Sequence, residues 1–344
     1  MASPNSTFAA DHYVPILKAK QGELGALQTA DRSRLVPLME VTGSGKATAI
    51  ANAWDDPAHV ILIQPLNLDS ADDADWAAVV STLFADLRAA GVAAVPVATT
   101  YDGPDTVAAL RGAIAADGRG AALRLDAEDL ALATPVAVAG EVAQLLSDLG
   151  TSEPEVDIVV DAGLLRDSIG ARVATTEAAL RVVPNLSSWR NLATCFSAFP
   201  ETLAPVAAKN AVTPINRDDA AAYATLVARG PDREPLFGDY AVGVPFYAEM
   251  PWAPIPAIRY AAGATWMIHR AATKADRSLQ YVALSTDVVG AAYYAGAGFC
   301  AGDAYYSDVA TGVVGPGNPM TYVRANTSRH LACVLDRLAT LGVP

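Results

Sequence analysis

Charged and hydrogen-bonding residues stand where short apolar runs end along the first 240 residues of this chain. A lysine removed from water beside another cation has a lowered pKa and can act as a nucleophile, and carboxylates placed close together shift each other's pKa towards values that suit general acids and bases. If the fold brings these run ends together, we expect an acid–base or ligand-binding site there. The candidate catalytic residues are Lys18, Glu40, Asp161 and Asp239.

Other residues at the same run ends have donors and acceptors that suit ligand binding. Arg124 and Asp126 are two residues apart, which places both on one face of a strand, and arginine can bind a phosphate or carboxylate through two hydrogen bonds. The alternative is a structural ion pair between neighbouring strands. The candidate ligand-binding residues here are Lys20, Gln64, Arg124, Asp126 and Tyr240, with Thr99, Tyr101 and Ser197 beside them. Scattered carboxylates are weak evidence for a divalent cation, so we predict no metal site.

A third cluster lies nearer the C-terminus. Arg259, Trp266 and Arg270 combine guanidinium and aromatic groups, a combination that can stack on a base or bind an anion. The alternative is that Trp266 and Tyr260 pack this part of the chain against the rest while Arg270 meets surplus acid. We retain all three as candidate ligand-binding residues.

The apolar runs themselves indicate the fold. They are rich in Val and Ile and lack strict polar alternation, which is typical of buried parallel strands. About eight strand–helix units in about 240 residues favour an α/β fold of the (β/α)8 or TIM-barrel type, although an open doubly wound sheet stays possible because periodicity does not show closure. The runs are Tyr13–Lys18, Leu35–Glu40, His59–Gln64, Val92–Thr99, Ala121–Asp126, Val156–Asp161, Leu192–Ser197 and Leu236–Tyr240.

Helical patterns separate these runs, and the organisation changes after Tyr240. We predict a barrel over residues 1–242 and a C-terminal extension over residues 243–344 that packs on it as one structural unit. The predicted helices of the barrel are Asp72–Ala90, Glu128–Leu149, Thr176–Val183 and Asp218–Ala228. The extension is predicted to contain an irregular loop at Gly243–Pro256, two short strands within Ile258–Arg270 and a helix at Thr327–Leu341.

Composition limits the classes of partner. The net charge of −13 and the pI near 4.7 disfavour nucleic acid and anionic membrane surfaces, because both repel an acidic protein. No apolar stretch approaches the roughly 20 residues needed to span a bilayer, and the start of the chain lacks a signal-peptide pattern. Cys195, Cys300 and Cys333 are scattered and odd in number, as expected in a reducing compartment, so we predict a cytoplasmic protein.

Several segments together resemble a known family. The sequences YVPILKAKQGELGAL, RLVPLMEV, FGDY, IRYAAGATWMIHR, GFCAGDAYYSD, PGN and SRHL follow one another in this order. They resemble the beta-protein family of phages and bacterial genomes along nearly the whole chain. The resemblance implies one domain of fixed element order and an association with phage biology, and it implies no particular activity or cofactor.

Two function classes follow from these observations. In the first, the mouth of the barrel binds a small anionic ligand, with or without catalysis, and substituting Lys18 or Asp239 by Ala abolishes the activity but spares the fold. In the second, the protein is a phage or defence component that binds another protein, and changes within Tyr247–Trp252 break that contact. A homodimer through Val244–Pro256 is a further prediction, and the sequence leaves the identity of any cofactor open.

Overall fold

The computed structural model describes residues 7–69, 71–247 and 254–344. Eight parallel strands form one sheet in chain order, with one strand of a second sheet intervening before the last of them. Each predicted apolar run overlaps one of these eight strands. The strands of the described residues are β1 Ile16–Lys18, β2 Leu38–Val41, β3 Ile61–Pro65, β4 Ala94–Ala98, β5 Ala121–Asp126, β6 Val156–Leu164, β7 Asn191–Ser197, β8 Ala211–Asn216, β9 Leu236–Asp239, β10 Ala257–Ala262 and β11 Thr265–Arg270.

The parallel sheet curves round until its two edges meet. Tyr13, just before β1, bridges Leu35 on one side and Phe237 of β9 on the other, both in parallel. The amide of Val14 donates a hydrogen bond to the carbonyl oxygen of Phe237 at 2.9 Å. The predicted α/β fold of the TIM-barrel type is therefore confirmed, and the open-sheet alternative is wrong.

Helices cover the outside of the barrel and build the extension. The predicted helix Glu128–Leu149 is two helices, because Thr134 caps a new helix by accepting from the amide of Ala137 and Pro135 fits the first helical turn. The helices of the described residues are α1 Gln21–Leu27, α2 Ala47–Ala53, α3 Asp73–Ala89, α4 Pro104–Asp117, α5 Ala127–Leu132, α6 Pro135–Leu149, α7 Ile169–Val182, α8 Asp218–Ala228, α9 Arg277–Val289, α10 Ala301–Ala310 and α11 Pro319–Leu341.

Side chains alternate between the two faces of each barrel strand. One set forms a buried cluster that fills the barrel interior, and the other set packs under the helices, so both faces of the sheet are apolar. Burying each such Val, Leu or Ile contributes roughly 1.5–3 kcal/mol, which accounts for the continuous apolar runs. The interior cluster consists of Val14, Ile16, Val36, Leu38, Leu62, Val95, Val97, Ala122, Val159, Ala193, Cys195, Leu236 and Tyr240.

The extension is a three-stranded antiparallel sheet with helices packed on it. Its strand order is β10, β11, β8, so the sheet takes β8 from the barrel side of residue 242. The sequence analysis did not predict β8, in which half-buried and exposed residues alternate around Pro214. Helix α11 ties the extension to the barrel, because Leu331, Val334 and Leu338 belong to the same buried cluster as the outer faces of the barrel strands. No helix of the described ranges has the length and apolarity to cross a membrane.

Candidate functional site

The interior face of the barrel changes from apolar to polar at the C-terminal ends of the strands. Following the alternation two residues beyond the interior cluster leads to Lys18, Glu40, Gln64, Arg124 and Asp161. The strand register brings them side by side, since Lys18 pairs with Glu40 and Glu40 with Gln64. TIM-barrel enzymes place their sites at this end of the barrel. These predicted residues therefore do share one mouth.

Arg124 is the centre of this mouth. Its Nη1 donates to Glu40 Oε1 at 2.9 Å and to Gln64 Oε1 at 2.5 Å. Its Nε and Nη2 donate to Asp161 Oδ2 at 3.0 and 2.7 Å, and Nη2 also donates to the hydroxyl of Tyr240. A guanidinium has five N–H donors, and here each has a protein acceptor. Arg124 is thus a structural hub rather than an open anion-binding group. We define the mouth network as Arg124 and its four partners, Glu40, Gln64, Asp161 and Tyr240.

Glu40 differs from the other carboxylate of the mouth network. Asp161 accepts on both oxygens, because Gly163 N donates to its Oδ1 at 2.9 Å. Glu40 is only 2% exposed, yet its Oε2 has no hydrogen-bond partner in the described part of the chain. Burial raises the pKa of the Glu40 carboxyl, even though Arg124 and Lys18 oppose the shift. An unpartnered buried oxygen can accept from a ligand, or donate to one when protonated.

Lys18 holds down a segment that crosses the mouth. Its Nζ donates to the carbonyl oxygens of Val244 and Phe246 at 2.8 and 2.6 Å. The hydroxyl of Tyr247 donates to the backbone oxygen of Glu40 at 3.1 Å, and its ring lies 4.9 Å from the Nζ of Lys18. We call residues 244–247 the strap. Burial lowers the pKa of Lys18, as a candidate nucleophile requires, but two of its donors are already engaged.

Lys20 lies next to the strap and outside the cavity of the mouth. Its Nζ is also 4.9 Å from the ring of Tyr247, and its side chain is exposed. The predicted partner-binding segment Tyr247–Trp252 begins at the end of the strap, and residues 248–253 lie outside the described residues. The predicted homodimer through Val244–Pro256 stays a prediction.

A cavity of about 410 Å³ opens between the strap and the loops after β4, β5 and β6. Asp126 stands on its wall and caps α5, because its Oδ1 accepts from the amides of Glu128 and Asp129 at 2.8 and 3.1 Å. Burial raises the pKa of Asp126. The lining residues are Gln64, Thr99, Tyr101, Arg124, Asp126, Glu128, Asp161, Ala162, Gly163, Leu164, Arg166, Arg172, Pro245 and Phe246.

Two arginines of this cavity were missed in the sequence analysis. Arg166 follows β6, is 66% exposed and contacts Glu201 at 2.9 Å. Arg172 lies on α7 and is only 5% exposed; it donates to Glu128 Oε1 at 2.6 Å and to Leu164 O at 3.1 Å, while its Nε has no partner among the described residues. Neither ends an apolar run, so the strand-end rule did not select them. The available signal was the glycine-containing segment that follows Asp161 and carries Arg166.

Asp239 does not face the mouth, because its neighbour Tyr240 occupies the interior position. Its Oδ2 accepts from His330 Nε2 at 2.7 Å and from Arg217 Nη2 at 3.1 Å, and its Oδ1 accepts from the hydroxyl of Tyr13. Arg217 also donates to Asp219 at 2.6 Å. All these side chains are at most 1% exposed. This set, which we call the junction network, consists of Tyr13, Arg217, Asp219, Asp239 and His330.

The predicted cluster near the C-terminus is also separate from the mouth cavity. Trp266 Nε1 donates to His330 Nδ1 at 3.2 Å. Arg259 donates to the backbone oxygen of Val242 at 2.7 Å, and Arg270 donates to the backbone oxygens of the loop before β8. These contacts pack the extension onto the barrel, as the stated alternative expects of Trp266, but Arg270 binds backbone oxygens where the alternative expected an acid. No group of metal-binding side chains occurs in the described ranges.

Some solved structures and one protein family are similar to this chain. Among solved structures, triosephosphate isomerase from Bartonella henselae is 11% identical with a TM-score of 0.34, and the match covers 66% of this chain and 92% of that one. The homocysteine methyltransferase MmuM from Escherichia coli is 15% identical with a TM-score of 0.35, and the match covers 67% of this chain and 90% of that one. No curated protein matches. The family described as Beta protein matches residues 13–336, nearly the whole chain, so this chain belongs to the Beta protein family.

Proposed function

We propose that the barrel mouth binds a small anionic ligand in the cavity beneath the strap. The observation that carries this proposal is the convergence of ionised side chains from separate strands on a cavity of about 410 Å³. Cavities of this size suit small metabolites, which are usually held by a few convergent polar groups. Association of the protein with phage biology belongs to the same proposal and rests on the family resemblance alone.

The anionic group of the ligand is placed at Arg166 and Arg172 rather than at Arg124. Every donor of Arg124 already has a protein acceptor, so a ligand could use Arg124 only by displacing a carboxylate. Arg166 keeps most of its surface exposed, and Arg172 keeps an Nε without a partner in the described part of the protein. Guanidinium groups are well suited to phosphates and carboxylates.

A thermal-shift screen tests this function. The purified protein is heated with inorganic phosphate, nucleotides, phosphorylated sugars and pyridoxal phosphate, because a ligand that binds only the folded state raises Tm. At a ligand concentration of about 100 times Kd, the expected stabilisation is about 2.7 kcal/mol. We expect at least one anion of the panel to raise Tm.

A matched pair of variants locates the bound anion. Arg166→Ala removes an exposed ion pair at the mouth, whereas Arg229→Ala removes the exposed pair with Glu177 at the C-terminal end of α8, which lies at the opposite end of the barrel. The Tm increase should fall in Arg166→Ala and stay in Arg229→Ala. An increase that both variants retain, or no increase with any anion, contradicts the proposed function and favours a protein partner.

A further inference from the structure

The cavity at the mouth is not a purely cationic site. Its charged lining residues are three arginines, Arg124, Arg166 and Arg172, and three carboxylates, Asp126, Glu128 and Asp161. A cavity that binds only an anion gains nothing from carboxylates that face the ligand, because like charges at short range raise the free energy of binding. The balanced charges instead favour a ligand that carries both signs.

Asp126 is a lining carboxylate with an oxygen that lacks a protein donor. Its Oδ1 accepts both capping amides, and its Oδ2 receives no hydrogen bond in the described ranges. Glu40 Oε2 also lacks a donor among the described residues, but it is buried and Glu40 does not line the cavity. Asp161, in contrast, accepts on both oxygens. The open oxygen of Asp126 can therefore accept a hydrogen bond from a donor on the ligand.

The guanidinium groups that would bind the anion lie on another part of the cavity wall. Arg166 follows the end of β6 and Arg172 lies on α7, whereas Asp126 ends β5. The groups that bind an anion and those that bind an amine therefore come from different elements around one cavity. This arrangement suits a small molecule with its two charged groups at opposite ends.

We propose that the mouth cavity binds a zwitterion, with its ammonium group bound by Asp126 and its anionic group bound by Arg166 and Arg172. This inference rests on the proposed function and adds the class of ligand to it. An ammonium group has three donors, so it can satisfy the open oxygen of Asp126, and hydrogen bonds between charged groups are the strong ones.

Three probes with one two-carbon skeleton test the inference by isothermal titration calorimetry on the full chain. Phosphoethanolamine carries both charges, ethyl phosphate only the anion and ethanolamine only the ammonium group. We expect phosphoethanolamine to bind at least tenfold more tightly than either of the others. Equal affinity for phosphoethanolamine and ethyl phosphate contradicts the proposal of a zwitterionic ligand but agrees with the proposed binding of an anion. Binding of ethanolamine alone contradicts both proposals. Failure of phosphoethanolamine to bind also contradicts the zwitterion, even where another anion of the screen binds.

Asp126→Asn assigns the ammonium site. Asparagine caps helices about as well as aspartate, so α5 should keep its N-terminus while the negative charge is lost. The preference for phosphoethanolamine over ethyl phosphate should fall at least fivefold in this variant. Asp72→Asn is the control, because Asp72 caps α3 by accepting from the amide of Ala74 and does not line the cavity. An unchanged preference in Asp126→Asn, or an equal loss in Asp72→Asn, overturns the assignment.

Discussion

Asp239 and Tyr240 are neighbours in the chain, yet they belong to two different charged networks. Tyr240 points into the barrel and hydrogen-bonds the mouth network through Arg124 and Asp161. Asp239 points outward and belongs to the junction network, which joins the barrel to His330 of α11. Because successive side chains of a strand point to opposite faces, one of these neighbours faces the barrel interior and the other forms a buried structural contact.

The two networks contain similar chemical groups but differ in whether a ligand or solvent can reach them. Both combine arginine, carboxylate and tyrosine, but Arg124 and Asp161 line a cavity, whereas the junction network is buried on every side. Arg217 even leaves its Nε and Nη1 without hydrogen-bond partners in the described residues and stacks instead near the rings of Phe237 and Trp266, at 5.8 and 5.7 Å. A cluster of buried charges by itself thus does not mark a site, and an adjoining cavity is the feature that separates the two.

The largest expected effect is that of Asp239→Ala on stability. The substitution leaves Arg217 and His330 buried without their shared carboxylate, and removing one partner of a buried ion pair typically costs about 3–5 kcal/mol. Urea denaturation followed by circular dichroism measures the change in the free energy of unfolding. This differs from the sequence-based expectation that the variant spares the fold. A loss below about 1 kcal/mol would show that the junction network is not structural.

The pH dependence of stability comes next in size. Burial acts to raise the pKa of Asp239, but His330, Arg217 and the hydroxyl of Tyr13 outweigh it and lower the pKa to about 2. Because this lies below the ordinary value of about 4, the contribution of Asp239 is complete above pH 4 and is lost as the pH falls towards 2. Between pH 5 and pH 2, the stability difference between the native protein and Asp239→Asn should shrink by about 2 kcal/mol. A constant difference in denaturation across this range would refute the shift.

Removing one hydroxyl from each network compares them directly. Tyr13→Phe takes a donor from Asp239 where water has no access, so we expect a loss of about 1–3 kcal/mol. Tyr240→Phe takes a donor from Asp161, which keeps Arg124 and Gly163 as donors and borders the cavity, so we expect about 1 kcal/mol or less. Denaturation of both variants under one condition gives the ranking. Equal losses would mean that the cavity offers Asp161 no replacement water.

Sequence patterns predicted the barrel well because its strands are buried on both faces. Continuous apolar runs located all eight strands, and their ends located the mouth network. Strand β8 escaped because it is an edge strand with an alternating, half-exposed pattern around Pro214, a residue that edges tolerate.

The side chains of the candidate site were predicted less completely, for a physical reason. Arg124 and Asp161, selected by the strand-end rule, do line the mouth cavity, but the rule placed Asp239 with them, although alternation from Phe237 would have assigned it to the outer face. The contact of Asp239 with His330 joins residues 91 positions apart, and no local pattern encodes such a pair. Tertiary contacts of this kind have to be seen in the fold.

The smallest expected effect concerns the strap. Lys18→Met keeps the length of the side chain but removes the hydrogen bonds to Val244 O and Phe246 O. Since the hydrogen bond from Tyr247 to Glu40 O remains, the strap should open more easily while the free energy of unfolding falls by only about 1 kcal/mol. Hydrogen exchange of peptides covering residues 244–247 should accelerate in Lys18→Met. Lys20→Met is the matched control, because Lys20 contacts the same Tyr247 ring at 4.9 Å and makes no hydrogen bond to the strap in the described residues. If exchange were unchanged in Lys18→Met, or faster to the same extent in Lys20→Met, the strap would be held by its own packing, and the mouth would be covered independently of Lys18.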